Sequence, residues 1–246
     1  MNHIIKQVPE RHEFVQFATL TFRQGLQHSP STPPLAFTHV SAQLQAVPGV
    51  KAIYLGQQME RPDHWTWAVC WASPAALDAY LASPIFDDWL DDFRATTDSY
   101  IFTKSLLRGD AAAALNAPCT EIFTAYGAPR SFLETRVKPL ASRLSAGAVP
   151  GVRASAFGQF ELLAEYGVLA LAGITVSVII GWDTYEAQRA QTDQEKLSNS
   201  SVHYARDDIK SVDLVIAPFP GTIVASLHPG ITLANLAGLI PSIMSS

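Results

Sequence analysis

Val47-Pro48-Gly49-Val50 recurs as Val149-Pro150-Gly151-Val152, and what surrounds each copy recurs with it. Upstream of the first copy lies EFVQFATLTF, residues 13–22; upstream of the second lies TEIFTAY, residues 120–126. Both runs are rich in β-branched and aromatic residues, as strands are. Between run and VPGV, each half carries apolar residues at helical spacing. They are Phe37, Val40, Leu44 and Val47 in the first half, and Leu133, Val137, Leu140 and Leu144 in the second. Thr32 is the expected N-cap of the first helix, with Pro33 at its first position. Pro139 is expected to kink the second. Pro-Gly then stops each helix and a second strand begins.

A third strand follows in each half, residues 65–71 (WTWAVCW) and roughly 174–182. Each leads into a helix with a start signal, Ser73-Pro74 in the first half and Asp183 with Glu186 in the second. Last strands are expected at residues 100–106 and 212–217. Each half therefore reads β-α-β-β-α-β, the ferredoxin-like arrangement. Trp71 and Trp182 are 111 residues apart, against 102 for the two VPGV copies, so the second half carries an insertion between its second and third strands. The expected units are a first repeat over residues 12–110, a second over 118–220 and a tail over 221–246. A linker is expected near residues 111–118, and a short helix within residues 227–246. Both faces of the first strand are apolar: Phe14, Ala18, Leu20 and Phe22 on one, Val15 and Phe17 on the other. A sheet with helices on one side leaves its other face bare. Packing the two sheets face to face covers both, which predicts an α+β fold, a pseudo-dimeric α/β barrel.

The 246 residues are 48% hydrophobic and 16% charged, with a formal net charge of -5. No basic stripe interleaved with aromatics is present, which argues against nucleic acid as a partner. The longest apolar stretch, residues 168–180, is shorter than the ~20 residues a membrane helix needs, and its β-branched content reads as a buried strand. The N-terminus has no signal-peptide pattern. Cys70 and Cys119 are too few for a disulfide framework, and no Cys or His pair has zinc-ligand spacing. The expectation is a protein of the cytoplasm that engages neither membrane nor nucleic acid. The acidic residues Asp87, Asp88, Asp91 and Asp92 read as a solvated helix face rather than a metal site. No phosphate loop, GxGxxG, GxSxG or HExxH motif is present.

The two VPGV copies and the run WASPAALDAYLASPIF, residues 71–86, resemble the dimeric α/β barrel superfamily, in particular its antibiotic-biosynthesis-monooxygenase-like and stress-responsive members. The resemblance covers most of residues 12–107 and, more weakly, 119–219. Most members are single-repeat homodimers; this chain carries both repeats covalently, as some fungal members do, so a monomeric pseudo-dimer or a further homodimer is expected. The resemblance implies a pocket between each half's sheet and helices, chemistry without metal or organic cofactor, and a phenolic or polyketide substrate. In the plant polyketide-cyclase members a helix Tyr and a His six residues on form the acid/base pair. Tyr80 matches that Tyr, but Phe86 stands where the His would be. Those members also carry a His near the start of strand three, where His64 lies. Monooxygenase members use a strand-three Trp, for which Trp65 and Trp67 are candidates.

His64 and Tyr80 are thus the candidate catalytic residues. Trp65, Trp67, Phe86, His39 and Arg23 are the candidate substrate contacts. Each has a plainer reading: His64 as a loop-edge residue, Tyr80 and the tryptophans as core, His39 beside a buried helix face, and Arg23 as a solvated charge at a strand end. The leading functional reading is an enzyme of secondary metabolism, cofactor-independent, that moves protons on a hydrophobic, polyketide-like molecule to drive cyclisation, isomerisation or elimination. The alternatives are a cofactor-independent monooxygenase and a non-catalytic binding barrel. One working pocket is expected, in the first half.

Overall fold

The computed structural model describes residues 11–26, 32–164, 173–198 and 211–219. The tail at residues 221–246, with its expected helix, lies outside them. The first repeat runs β1 (His12–Phe22), α1 (Leu35–Gln45), β2 (Val50–Gln57), β3 (His64–Trp71), α2 (Pro74–Leu81), α3 (Pro84–Thr96) and β4 (Thr97–Gly109). A short helix α4 (Ala111–Leu115) leads to the second repeat: β5 (Cys119–Ala128), a π-helical turn (Leu133–Val137), α5 (Lys138–Ser145), β6 (Val152–Ala164), β7 (Ile174–Trp182), α6 (Tyr185–Ser198) and β8 (Ser211–Ala217). All eight strands join one antiparallel sheet in the order β2-β3-β1-β4-β6-β7-β5-β8. The same four-strand order occurs twice, and β4 pairs with β6 at the seam.

The sheet curls until its far edges meet. Beyond β2, the Met59 amide donates to the Ile216 carbonyl (2.9 Å), and the Glu60 carboxylate accepts from the Ile216 amide (3.0 Å). Arg61 reaches Asp213 at the start of β8. A side-chain carboxylate thus satisfies a strand amide that a regular ladder would otherwise bond.

The repeated VPGV does the same work in both halves. Gly49 and Gly151 have φ of +95° and +80°, the left-handed region that glycine enters without strain. A Cβ on Gly49 would lie 2.6 Å from the Cβ of Ala76 on α2, and one on Gly151 would lie 2.7 Å from the Cβ of Ala187 on α6. Each glycine carbonyl accepts a 2.7 Å bond from the residue after the third strand, Ala72 or Asp183. Gly49→Ala is therefore expected to destabilise the fold by at least about 1–2 kcal/mol from backbone strain. Ala76→Gly in the same chain should recover the added steric part, read from urea unfolding midpoints.

Three local expectations change. The first helix begins at Leu35 after Pro34, with no side-chain cap bond, and ends at Gln45, before Val47. Pro34 disfavours helical geometry at Pro33, so neither Thr32 nor Pro33 can open the helix. Pro139 falls where the helical hydrogen-bond pattern changes, not inside a regular α-helix. The chain makes a π-helical turn up to Val137, and Pro139 falls in the first turn of α5, where no amide is required of it. In the first half, Ser73 caps α2 as expected, its hydroxyl accepting from the Ala76 amide (3.2 Å), but Pro84 then opens a second helix, α3. The insertion in the second half begins as a longer strand, 13 residues in β6 against 8 in β2.

The largest departure is the expected linker. Asp110 caps α4 by accepting from the Ala113 amide (3.0 Å), and Ala111, Ala114 and Leu115 are fully buried. Small side chains let this helix enter the lumen of the barrel. A Cβ on Gly181 would lie 2.8 Å from the Ala114 backbone, and the Thr120 hydroxyl donates to the Ala114 carbonyl (2.8 Å). Ala114 and Leu115 pack there with Val15, Leu107, Ile122, Ile179 and Phe219. This helix fills one end of the lumen.

Candidate active site at the open end of the barrel

Side chains alternate across each strand, so each strand serves two compartments. On β3, Trp65, Trp67, Val69 and Trp71 face the helices, whereas Ala68 and Cys70 pack in the lumen, on the face shared with His64 and Thr66. The helix-side compartment of the first half is filled. Trp67 has no exposed surface and lies between Phe37 of α1, Trp89 and Phe93 of α3, and Phe102 of β4, with ring centroids 5.7–6.3 Å from it. The second half fills the corresponding space with Phe132, Val137, Leu144, Val176 and Trp182.

The open end of the lumen holds a cavity of about 590 Å³, within the usual range for small-molecule sites. Its apolar wall includes Phe17 and Phe160, stacked at 5.1 Å, with Ile122 and Val215. Hydroxyls from Thr19, Thr66, Thr103, Thr124 and Thr175 line it as well. Its rim carries His64, Arg23, Arg61, Arg94, Asp98 and Asp213.

The rim groups are held in place. His64 Nδ1 lies 2.9 Å from Asp63 Oδ1. With the proton on Nδ1 the ring donates to that carboxylate, and Nε2 is left as a proton acceptor with no described protein partner. This hydrogen bond is the chief reason that the exposed Asp63 carboxyl sits below its ordinary range. Arg61 is fastened by two bonds to the Asp213 carboxylate (3.1 and 3.2 Å) and one to Gln58 Oε1 (2.9 Å), and Gln58 in turn donates to the Thr66 hydroxyl (3.1 Å). Arg23 Nε donates to the carbonyls of Arg94 (3.0 Å) and Thr97 (3.2 Å) at the C-terminal end of α3, where the helix dipole favours a cation. Tyr126 brings a half-buried phenol whose pKa is raised, first by burial and then by the Asp213 charge, with Arg61 opposing.

The structure divides the candidates named from sequence. His64 and Arg23 meet in the cavity. Trp65 and Trp67 do not: both belong to the helix-side core, because the register sends the odd-numbered residues of β3 outward. Tyr80 is 5% exposed and packs against Trp71, Phe86 and Trp89, and burial raises its pKa. Phe86 covers that same cluster from α3. His39 is exposed on α1, 3.4 Å from the Gln43 amide, and borders neither compartment's interior. The hydroxyl of Tyr80 and the indole nitrogen of Trp67 are buried without a hydrogen-bond partner.

The second half also lines the cavity. Phe14 and Cys119 hold the same place, each opposite the tryptophan that ends strand three. Counting from there, Tyr126 stands where the first half has Thr21, and His64 stands where the second half has Thr175. The cavity lies between the halves and is lined by different side chains from each. Sequence reading missed Arg61, Asp98 and Asp213 as site residues. The available signal was the every-second-residue series of hydroxyls, Thr19 with Thr21 and Thr124 with Tyr126, on the faces that turn inward. No group of three or more metal-ligating side chains occurs among the described residues, and no described helix is long and apolar enough to cross a membrane.

Residues 34–92 match the antibiotic biosynthesis monooxygenase family. No curated protein matches the chain. Among solved structures, an anthrone oxidase-like protein shares the fold at a TM-score of 0.56 and 16% identity, over 85% of this chain and 92% of that one. A putative monooxygenase from Lactobacillus acidophilus NCFM is similar at 0.54 and 9% identity, over 86% and 98%. One from Fusobacterium nucleatum subsp. nucleatum ATCC 25586 is similar at 0.55 and 6%, over 85% and 93%. At these identities the likeness is one of fold, and it extends over both repeats. Residues 34–92 therefore match the antibiotic biosynthesis monooxygenase family, and the chain as a whole shares the barrel fold of these solved structures, with both halves of the barrel in one polypeptide.

Proposed function

We propose that this protein is an enzyme that removes a proton from a hydrophobic, oxygen-bearing aromatic molecule held in the open end of the barrel, with His64 as the base. The observation that carries this reading is the imidazole itself: it borders the cavity, and its Nδ1 is engaged by Asp63, which leaves Nε2 for a substrate proton. The stacked Phe17 and Phe160 supply an apolar surface for a flat ring, and Arg23 offers a fixed cation to a phenolic or carboxylate oxygen. The proton acceptor is a side chain, so the step calls on no metal or organic cofactor. Cyclisation and isomerisation both begin with such a proton transfer.

A second reading, favoured by the family match over residues 34–92, is oxygenation. The carbanion formed at His64 would react with molecular oxygen: one oxygen atom stays on the carbon as a carbonyl and the other leaves as water with the two hydrogens of that carbon. Anthrone tests both readings because it carries an acidic methylene conjugated to a ketone. The purified protein is expected to accelerate exchange of that methylene with D2O in the absence of oxygen, followed by proton NMR. Oxygen uptake with anthraquinone formation would select the oxygenase reading; exchange without uptake would select isomerase- or cyclase-type chemistry. A barrel that binds anthrone without accelerating exchange would be a binding protein instead.

A further inference from the structure

The cavity that His64 enters from β3 receives a second reactive group from the other half of the chain. Near the end of β5, Tyr126 lines the same space, and no hydrogen bond to a described residue engages its hydroxyl. Its charged neighbours are committed to each other: Arg61 makes two bonds to Asp213 and a third to Gln58. The phenol is left to the cavity. The equivalent position in the first half is Thr21, whose hydroxyl is paired with Ser99 at 2.8 Å. The two halves have diverged so that one supplies an imidazole and the other an unengaged phenol.

We propose that Tyr126 donates a hydrogen bond to the carbonyl oxygen of the substrate while His64 takes the proton from a carbon conjugated to that carbonyl, so that one active site is assembled from both halves. The proposal rests on the function proposed above and adds its second catalytic group. The C–H bond breaks and its proton passes to His64 Nε2. The electron pair moves through the conjugated system onto the carbonyl oxygen, and the resulting enolate oxygen accepts from the Tyr126 hydroxyl. No electron leaves the substrate, and no oxidant enters this step. A donor aimed where negative charge develops stabilises the transition state more than the ground state, above all in a site that excludes water. A phenol is protonated at neutral pH, as a donor must be, and burial and the Asp213 charge shift Tyr126 further in that direction.

The test is anaerobic exchange of the anthrone methylene in D2O, run on the full chain, Tyr126→Phe, His64→Ala, and protein carrying mono- or difluorotyrosine at position 126. Tyr126→Phe is expected to lower the exchange rate at saturation by about 100-fold, with the half-saturating anthrone concentration changed by less than about threefold. The fluorotyrosines keep the shape of the side chain and change only the acidity of its hydroxyl, so the rate should follow their order of acidity. A purely structural tyrosine would not produce that order. Exchange at the wild-type rate in Tyr126→Phe, or a flat fluorotyrosine series, overturns the role of Tyr126. If His64→Ala is inactive while Tyr126→Phe is fully active, only this inference fails. If His64→Ala exchanges as fast as the wild type, or the wild type does not accelerate exchange, the proposed function fails with it.

Discussion

His64→Ala is expected to lower turnover by 10²- to 10⁴-fold, the range that a positioned general base contributes. Without the imidazole, water must take the proton, and water is both a weaker base and unpositioned. Little of the loss should come from unfolding. The ring sits at the rim with 31% of its side chain exposed, outside the three hydrophobic clusters. The unfolding free energy should therefore change by no more than the ~0.5 kcal/mol typical of surface substitutions. Added imidazole should restore part of the activity of His64→Ala, because the space vacated is open to the cavity. A His64→Ala protein that folds normally and turns over at the wild-type rate would sink the base assignment. Asp63 holds the ring through Nδ1 but does not receive the substrate proton, so Asp63→Asn, which keeps an acceptor, should cost far less than His64→Ala.

The second large effect is on stability. Trp67→Ala is expected to destabilise the protein by about 3–5 kcal/mol, the usual cost of emptying a large buried aromatic. Domains are stable by only about 5–15 kcal/mol, so this removes a large share of the total. Trp67 is fully buried, and its ring meets four other aromatic rings, so the cavity left behind cannot collapse without disturbing α1 and α3. Trp67→Phe separates packing from substrate contact. It removes volume, which costs stability, but it also removes an indole N–H that is buried without a partner, a group whose desolvation costs about 1–3 kcal/mol. The two terms oppose, so the net change should stay within about 1.5 kcal/mol. Anthrone binding to Trp67→Phe should match the wild type. A tenfold loss of binding with unchanged stability would return Trp67 to the substrate site.

The sequence carried the fold because its signals are local and repeated. VPGV marks a helix stop that needs a left-handed glycine, and it occurs twice with the same flanking pattern. Alternation on β1, with apolar residues on both faces, required a second sheet whatever its source. These features depend on a few neighbouring residues and on which faces must be buried, and both can be read along the chain.

The location of the site was not legible in that way. Trp65, Trp67 and Tyr80 are conspicuous as residue types, but all three are buried in the helix-side core of the first half. What separates Trp65 and Trp67 from His64 is one step of strand register, which sends the odd positions of β3 to the helices and the even positions to the lumen. The linker read as a spacer because Ala-Ala-Ala-Ala carries no tertiary signal. Its small side chains are the reason it can plug one end of the barrel and leave the other open. His64 and Tyr126 line one cavity, and Arg61 bonds Asp213, although these residues are distant in sequence and come together only when the sheet curls shut. The sequence by itself determined two fused βαββαβ halves and the need to bury their sheets against each other. The tertiary structure alone decided that the cavity lies between the halves and not beneath the helices, because closure and plugging are properties of the whole barrel.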